Sequence, residues 1–259
     1  MAVEPPEDRE MELKEHLAEL KTRTIRVMIV ILIGLAITFP FSGRLIKEFW
    51  LGLFKSEMEM VIYSPTEWIV SRLTFSFLIV VFVTYPYLVY QLYQFAKPGL
   101  FEYERKFVRT FIPFSYILFL IGTGLAYFVI IPKLYGWAVV PYLGAEPQLS
   151  VKRTFYGAFK IFFAFGFAFQ IPLLAVISVR LGLVSSDWLK GKRLIVYIAI
   201  FIFATNITFD ISGISQMIIL GLVAIMYELS ILLARLMERN REKQESLKES
   251  TQLKSDEKR

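Results

Sequence analysis

Six charge-free stretches dominate this chain: Val27 to Gly43, Leu73 to Ala96, Thr110 to Pro132, Ile161 to Val179, Leu194 to Phe209 and Ile211 to Tyr227. A helix needs about 20 apolar residues to cross a hydrocarbon core of roughly 30 Å, and fewer where the bilayer thins. The pattern therefore predicts an all-α membrane protein with six transmembrane helices. The basic residues between the stretches are unevenly shared. Five precede the first stretch, four lie between the second and third, four between the fourth and fifth, and eight run from Arg235 to Arg259, so that 21 of the 29 Lys and Arg residues fall on one side. The positive-inside rule assigns that side, and both termini with it, to the cytoplasm.

The remaining composition narrows what such a chain can do. With 259 residues, 56% of them hydrophobic, there is room for one membrane domain and no separate soluble one. The expected layout is a cytoplasmic segment over 1–26, a transmembrane domain over 27–234 and a charged cytoplasmic tail over 235–259. Topology explains the net charge of +6, because juxtamembrane Lys and Arg contact anionic lipid headgroups; no nucleic-acid partner is expected. The absence of cysteine excludes disulfides, thiolate catalysis and cysteine metal sites. A cleavable signal peptide is not expected, since the first 26 residues are polar.

Local signals add detail. Residues 1–10 read as disordered and Glu12 to Arg26 as a helix entering the first span, with Leu13, Leu17 and Leu20 at helical spacing. Two outer segments, Arg44 to Glu67 and Pro132 to Thr154, are expected to cap the bundle, the second carrying Tyr135, Trp137 and Tyr142 at interfacial depth. Ser64 or Thr66 can cap the second span, and Glu67 suits its first turn. Pro86, Pro113 and Pro172 are expected to kink spans two, three and four and to give a curved bundle with a concave face. The last two spans are tied by Asn206 to Gly213. The sixteen residues of the fifth stretch reach only ~24 Å at about 1.5 Å per residue. The tail from Glu238 reads as a frayed helix or as disordered.

Catalytic chemistry finds no footing. The single histidine, His16, cannot form a two-histidine zinc motif, and Asp210 is the one aspartate outside the cytoplasmic segments. No glycine-rich phosphate loop or serine elbow is present, so no enzyme activity, metal or cofactor is expected. A small-solute transporter stays open as an alternative. Its candidate polar groups would be Arg72, Lys160, Gln170, Asp210 and Glu228, although no internal repeat is evident.

Acidic residues on the otherwise basic side are more telling. Glu19 lies in HLAELKTR (16–23), and Glu102 and Glu104 lie in KPGLFEYERK (97–106). Two carboxylates at one headgroup-level site would bind a pair of guanidinium groups through bidentate, charge-assisted hydrogen bonds. Equally, each could pair with a neighbouring Lys or Arg at the membrane surface. Spacing alone leaves both readings open.

These segments resemble the TatC family, the polytopic signal-peptide receptor of the twin-arginine protein translocase. The likeness runs from His16 to Ala234. It includes SPTE at 64–67, YPYLVYQLYQFAKPGLFEYERK at 85–106, LAYFVIIP at 125–132, FKIFFAFGFAFQIP at 159–172, ITFDISGISQ at 207–216 and YELSI at 227–231. The resemblance implies docking of twin-arginine signal peptides by Glu19 and Glu104, with Glu102 as helper and His16, Lys21, Phe95, Pro98 and Arg105 shaping the site. It implies single-span partners of the TatA/TatB type, contacted through intramembrane polar groups such as Gln170, Lys160, Asp210, Gln216 and Glu228, and allows a homo-oligomer. Three positions depart from the family pattern. Lys21 stands where arginine is common, Gln170 where glutamate is common, and Phe209 where proline often precedes the hairpin aspartate.

Overall fold

The computed structural model describes residues 13–54, 60–138, 149–207 and 214–256. Among them the chain is helical apart from one two-residue strand pair and short connections. Five helical stretches are long and apolar enough to span a membrane: Lys14–Phe54, Pro65–Gly99, Glu102–Gly136, Val151–Arg180 and Gln216–Arg239. A shorter apolar helix lies at Arg193–Ile202. These six correspond to the six charge-free stretches. The chain divides into two compact units, residues 1–166 and 167–259.

In the first unit, α1 (Leu13–Thr38) ends at a 3-10 turn, Phe39–Phe41, where Pro40 interrupts the helix, and α2 (Ser42–Phe54) follows at once. Arg72 fixes this corner. Its Nε donates to Ser42 Oγ (2.9 Å), its Nη2 donates to the Phe39 carbonyl (2.8 Å), and its guanidinium lies 4.6 Å from the Phe39 ring centroid. That set of partners makes Arg72 a structural clamp.

Strand β1 (Met60–Val61) precedes α3 (Pro65–Ala96). The start of α3 follows the sequence signal: Ser64 is extended, its side chain accepts the Glu67 N–H, and Pro65 occupies the first turn. α1 packs along α3. Gly34 permits the close approach, because a Cβ there would lie 2.8 Å from Val80 Cγ1. α4 (Glu102–Leu125) follows the 3-10 turn Lys97–Gly99 and pairs with α3 through the buried Tyr85 hydroxyl and Ser115 Oγ (3.0 Å) and through Tyr85 stacked on Phe119 at 4.1 Å. A π-helical turn, Ala126–Ile130, leads into α5 (Ile131–Ala138). Strand β2 (Leu149–Ser150) pairs in parallel with β1, matching Met60 to Leu149 and Val61 to Ser150. α6 (Val151–Ala168) lays Phe155 and Phe162 against Phe49 and Phe75 in an aromatic core.

The second unit holds α7 (Ile171–Arg180), α8 (Ser186–Gly191), α9 (Arg193–Ile207) and α10 (Ile214–Asp256). α10 packs on α7, α8 and α9, burying Ala175, Val179, Leu189, Tyr227, Ile231 and Ala234 together. The expected tail is helical as far as Asp256.

The three prolines behave differently from one another. α3 and α4 are continuous through Pro86 and Pro113, whereas span four is interrupted between Ala168 and Ile171. Pro172 therefore occupies the first turn of a new helix, where its missing N–H costs nothing, and is not an interior kink.

Candidate functional site at the Ala96 end of α3

The sequence singled out two acidic motifs, and the fold brings their helices to one end of α3. The first link is aromatic: His16 of α1 stacks on Phe95 of α3, with ring centroids 4.3 Å apart and planes 28° off parallel. The second link is polar. Arg23, one helical turn beyond Glu19, donates from Nε to Glu19 Oε1 at 2.8 Å and from Nη2 to the same oxygen. Its Nη1 crosses to α3 and donates to Gln91 Oε1 at 3.2 Å. Gln91 is 8% exposed, and its amide nitrogen donates to the Tyr87 hydroxyl at 2.7 Å. Glu19 Oε2 is sealed from solvent and accepts no hydrogen bond among the described residues.

Immediately after Phe95, the turn at Lys97–Gly99 carries the chain into α4. Arg105 locks that turn: its Nε donates to the carbonyls of Lys97 (3.1 Å) and Leu100 (2.8 Å). Pro98 restricts the same turn by fixing φ. Tyr93 adds a tie by donating its hydroxyl to the Arg105 carbonyl at 3.4 Å. Glu104 reaches back to accept the Phe101 N–H at 2.9 Å, capping the first turn of α4. Glu102 is exposed one turn position earlier, and Lys21 is exposed on α1. A helix surface, an aromatic stack and a pinned turn thus hold Glu19 and Glu104 on rigid backbone, which favours precise recognition of a cation.

The intramembrane polar candidates are scattered. Lys160 stacks over the Tyr156 ring at 4.6 Å. Gln170 is buried, 6% exposed, at the break before α7, where its backbone N–H bonds to the Phe167 carbonyl. Gln216 donates to Thr205 Oγ1 at 2.5 Å, joining α10 to α9. Glu228 pairs within this chain, accepting from Arg193 Nη2 (2.6 Å) and the Tyr197 hydroxyl (2.5 Å). Asp210, Phe209 and Tyr142 lie outside the described residues.

Two features escaped the sequence reading. The Arg23 contact was visible as an i, i+4 pair, but its bond to Gln91, 68 positions away, carries no local signal. Glu67 is buried and accepts from Ser150 Oγ, Tyr63 N (2.9 Å) and Lys152 N (3.4 Å). It fastens β2 and the start of α6 to the start of α3, beyond its expected place in a helix first turn.

Comparison with known proteins identifies the architecture. Residues 15–221 match the family described as Sec-independent protein translocase protein (TatC). A relative of that name from Methanocella arvoryzae is 38% identical over 89% of this chain and 96% of its own length, and one from Aquifex aeolicus is 31% identical over 89% and 98%. A crystal structure described as the twin arginine translocase receptor TatC superposes with a TM-score of 0.77 at 28% identity, covering 86% of this chain and 99% of the other. These matches favour a protein-translocase role over a small-solute transporter. The chain belongs to the TatC family of multi-pass membrane proteins of the Sec-independent protein translocase.

Proposed function

We propose that this chain is a noncatalytic receptor that docks twin-arginine signal peptides of folded cargo at the cytoplasmic face, through Glu19 and Glu104. The observation carrying this reading is the Glu19 carboxylate, which already holds a guanidinium, that of Arg23, while its second oxygen is sealed and unsatisfied. Glu102 assists from the exposed start of α4. His16, Phe95, Pro98 and Arg105 hold the geometry, and Lys21 guards the approach. The N-terminal segment and the tail lie on the same cytoplasmic side, as their Lys and Arg content supports.

The apolar part of the peptide lies along α3 and α4. An apolar groove of about 410 Å³, lined by residues including Leu78, Phe82, Leu120, Tyr127 and Phe128, supports that placement. Single-span TatA/TatB-type partners meet the intramembrane polar groups, Gln170 first among them, because hydrogen bonds between polar side chains on neighbouring helices favour helix association in hydrocarbon. Lys160, Asp210, Gln216 and Glu228 are secondary contacts in this scheme.

Binding of a twin-arginine peptide to the full chain in lipid nanodiscs tests the docking. A bidentate charge-assisted contact is worth about 1.5 to 3 kcal/mol, so E19Q or E104Q should each weaken binding and the double variant should nearly abolish it. Unchanged affinity in a folded double variant would sink the assignment. For the partner contact, Gln170→Leu should impair recruitment of a single-span partner while sparing peptide docking, and Gln170→Glu should be tolerated. Normal transport by the leucine variant would count against it.

A further inference from the structure

Three observations about Arg23 go beyond an ordinary surface ion pair. Its guanidinium is held from two helices, by Glu19 on α1 and by Gln91 on α3. The amide of Gln91 is itself oriented by Tyr87, so its carbonyl oxygen is presented toward Arg23. Finally, both N–H groups that reach Glu19 fall on one oxygen, Oε1, and leave Oε2 buried without a donor. A carboxylate bound by an arginine fork ordinarily uses both oxygens, and a sealed acceptor with no donor is costly. Arg23 reaches Glu19 from its own helix, four residues along, and in the structure it serves one oxygen only.

We propose that Glu19 and the Gln91 amide oxygen form a guanidinium subsite that the chain's own Arg23 occupies, and that an arginine of the incoming peptide binds by displacing Arg23. The inference rests on the docking role of Glu19 stated above. An arginine arriving from outside the helix is free to lie fork to fork on Oε1 and Oε2 while still donating to Gln91. It therefore satisfies the acceptor that Arg23 leaves bare. The resident contact is a partly buried i, i+4 pair, with side-chain exposures of 20% for Arg23 and 22% for Glu19, and ion pairs at that helical spacing contribute little stability, so a better-fitting guanidinium can replace it. Arg23 thus keeps the subsite organised and neutralised when no peptide is present, and Gln91 becomes a peptide-binding residue outside the two acidic motifs.

The test is peptide affinity in a mutant cycle on the full chain in nanodiscs, using a synthetic peptide with two consecutive arginines followed by an apolar stretch. Removing the competitor in R23A should tighten binding about fivefold, and R23K, which keeps the charge without the planar fork, about twofold. R23K also preserves the pairing charge beside Glu19, so it carries the expectation should R23A fail to fold. In an E19Q background the gain from R23A should vanish, because Arg23 acts through that carboxylate. In an R23A background, Gln91→Leu should weaken binding several-fold. Unchanged or weaker binding in both R23A and R23K would overturn the proposal and make Arg23 a scaffold. A gain that persists with E19Q would reduce it to a general surface-charge effect. If E19Q alone leaves affinity untouched, it is the docking role of Glu19 that fails.

Discussion

A glutamate lies near each end of α3, and the two are used in opposite ways. At the Pro65 end, Glu67 is 8% exposed and accepts from a hydroxyl and two backbone N–H groups, uniting the start of the helix with β2 and the start of α6. At the Ala96 end, Glu19 of the neighbouring helix engages one oxygen and leaves the other sealed without a donor. A carboxylate whose acceptors are all met inside the chain has nothing left to offer a ligand. One that is rigidly placed but incompletely satisfied is poised to receive a cation. Residue type alone would not separate the two; the count of donors does.

This contrast is open to direct attack. The largest effect should come from E19Q combined with E104Q, which should cut twin-arginine peptide affinity by about a hundredfold or more while leaving the thermal midpoint near that of the unaltered chain. Glu67→Leu should do the reverse. It strands the Tyr63 and Lys152 N–H groups and the Ser150 hydroxyl, so the thermal midpoint should fall by about 5 °C with peptide affinity unchanged. Loss of peptide binding in Glu67→Leu, with the midpoint intact, would erase the distinction between the two ends. A smaller effect is expected from Ser64→Ala, which removes the cap of α3 and should cost about 1 kcal/mol, read by thermal or denaturant unfolding.

The smallest effect belongs to Asp187, an exposed carboxylate that calibrates the scale. A hydrogen bond from Lys190 Nζ at 2.5 Å, reinforced by the charges of Lys190 and Arg235, holds its carboxyl below the ordinary aspartate range. A depressed carboxyl stabilises the fold above its unfolded pKa and loses that contribution as pH falls through the folded value. Stability of Asp187→Asn should therefore fall only slightly short of that of the unaltered chain near neutrality, and the gap should close only as pH falls well below the ordinary aspartate value of about 4. A large gap at pH 7 would mean that exposed carboxylates also matter here, weakening the argument from donor counts.

How much of this was legible in the sequence depended on range. The six spans and the Ser64 cap rest on composition and on residues close together in the chain, so periodicity and charge reveal them, whereas HLAELKTR and KPGLFEYERK were joined into one site by the family resemblance and not by spacing. Arg105 lies within eight residues of the carbonyls it locks, and its place at the candidate site was implied by the family resemblance. Gln91 and Ser150 were not, because their partners lie 68 and 83 positions away and neither residue type is unusual where it stands. Pro172 shows a subtler failure. A proline inside an apolar run reads as a kink, yet the chain breaks at Phe169 and Gln170 and restarts, which places the ring where a helix tolerates it. The π-helical turn at Ala126–Ile130 likewise has no sequence signal, since LAYFVIIP is a uniformly apolar run.

Site-specific crosslinking across the face that bears HLAELKTR and KPGLFEYERK tests the central claim most directly. A twin-arginine signal peptide carrying a photoreactive group beside its arginine pair should be captured by residues flanking Glu19, Gln91 and Glu104, and excess unlabelled peptide should suppress that capture. Capture concentrated at α8 or along the charged end of α10, with the Glu19 and Glu104 surroundings unlabelled, would contradict the account.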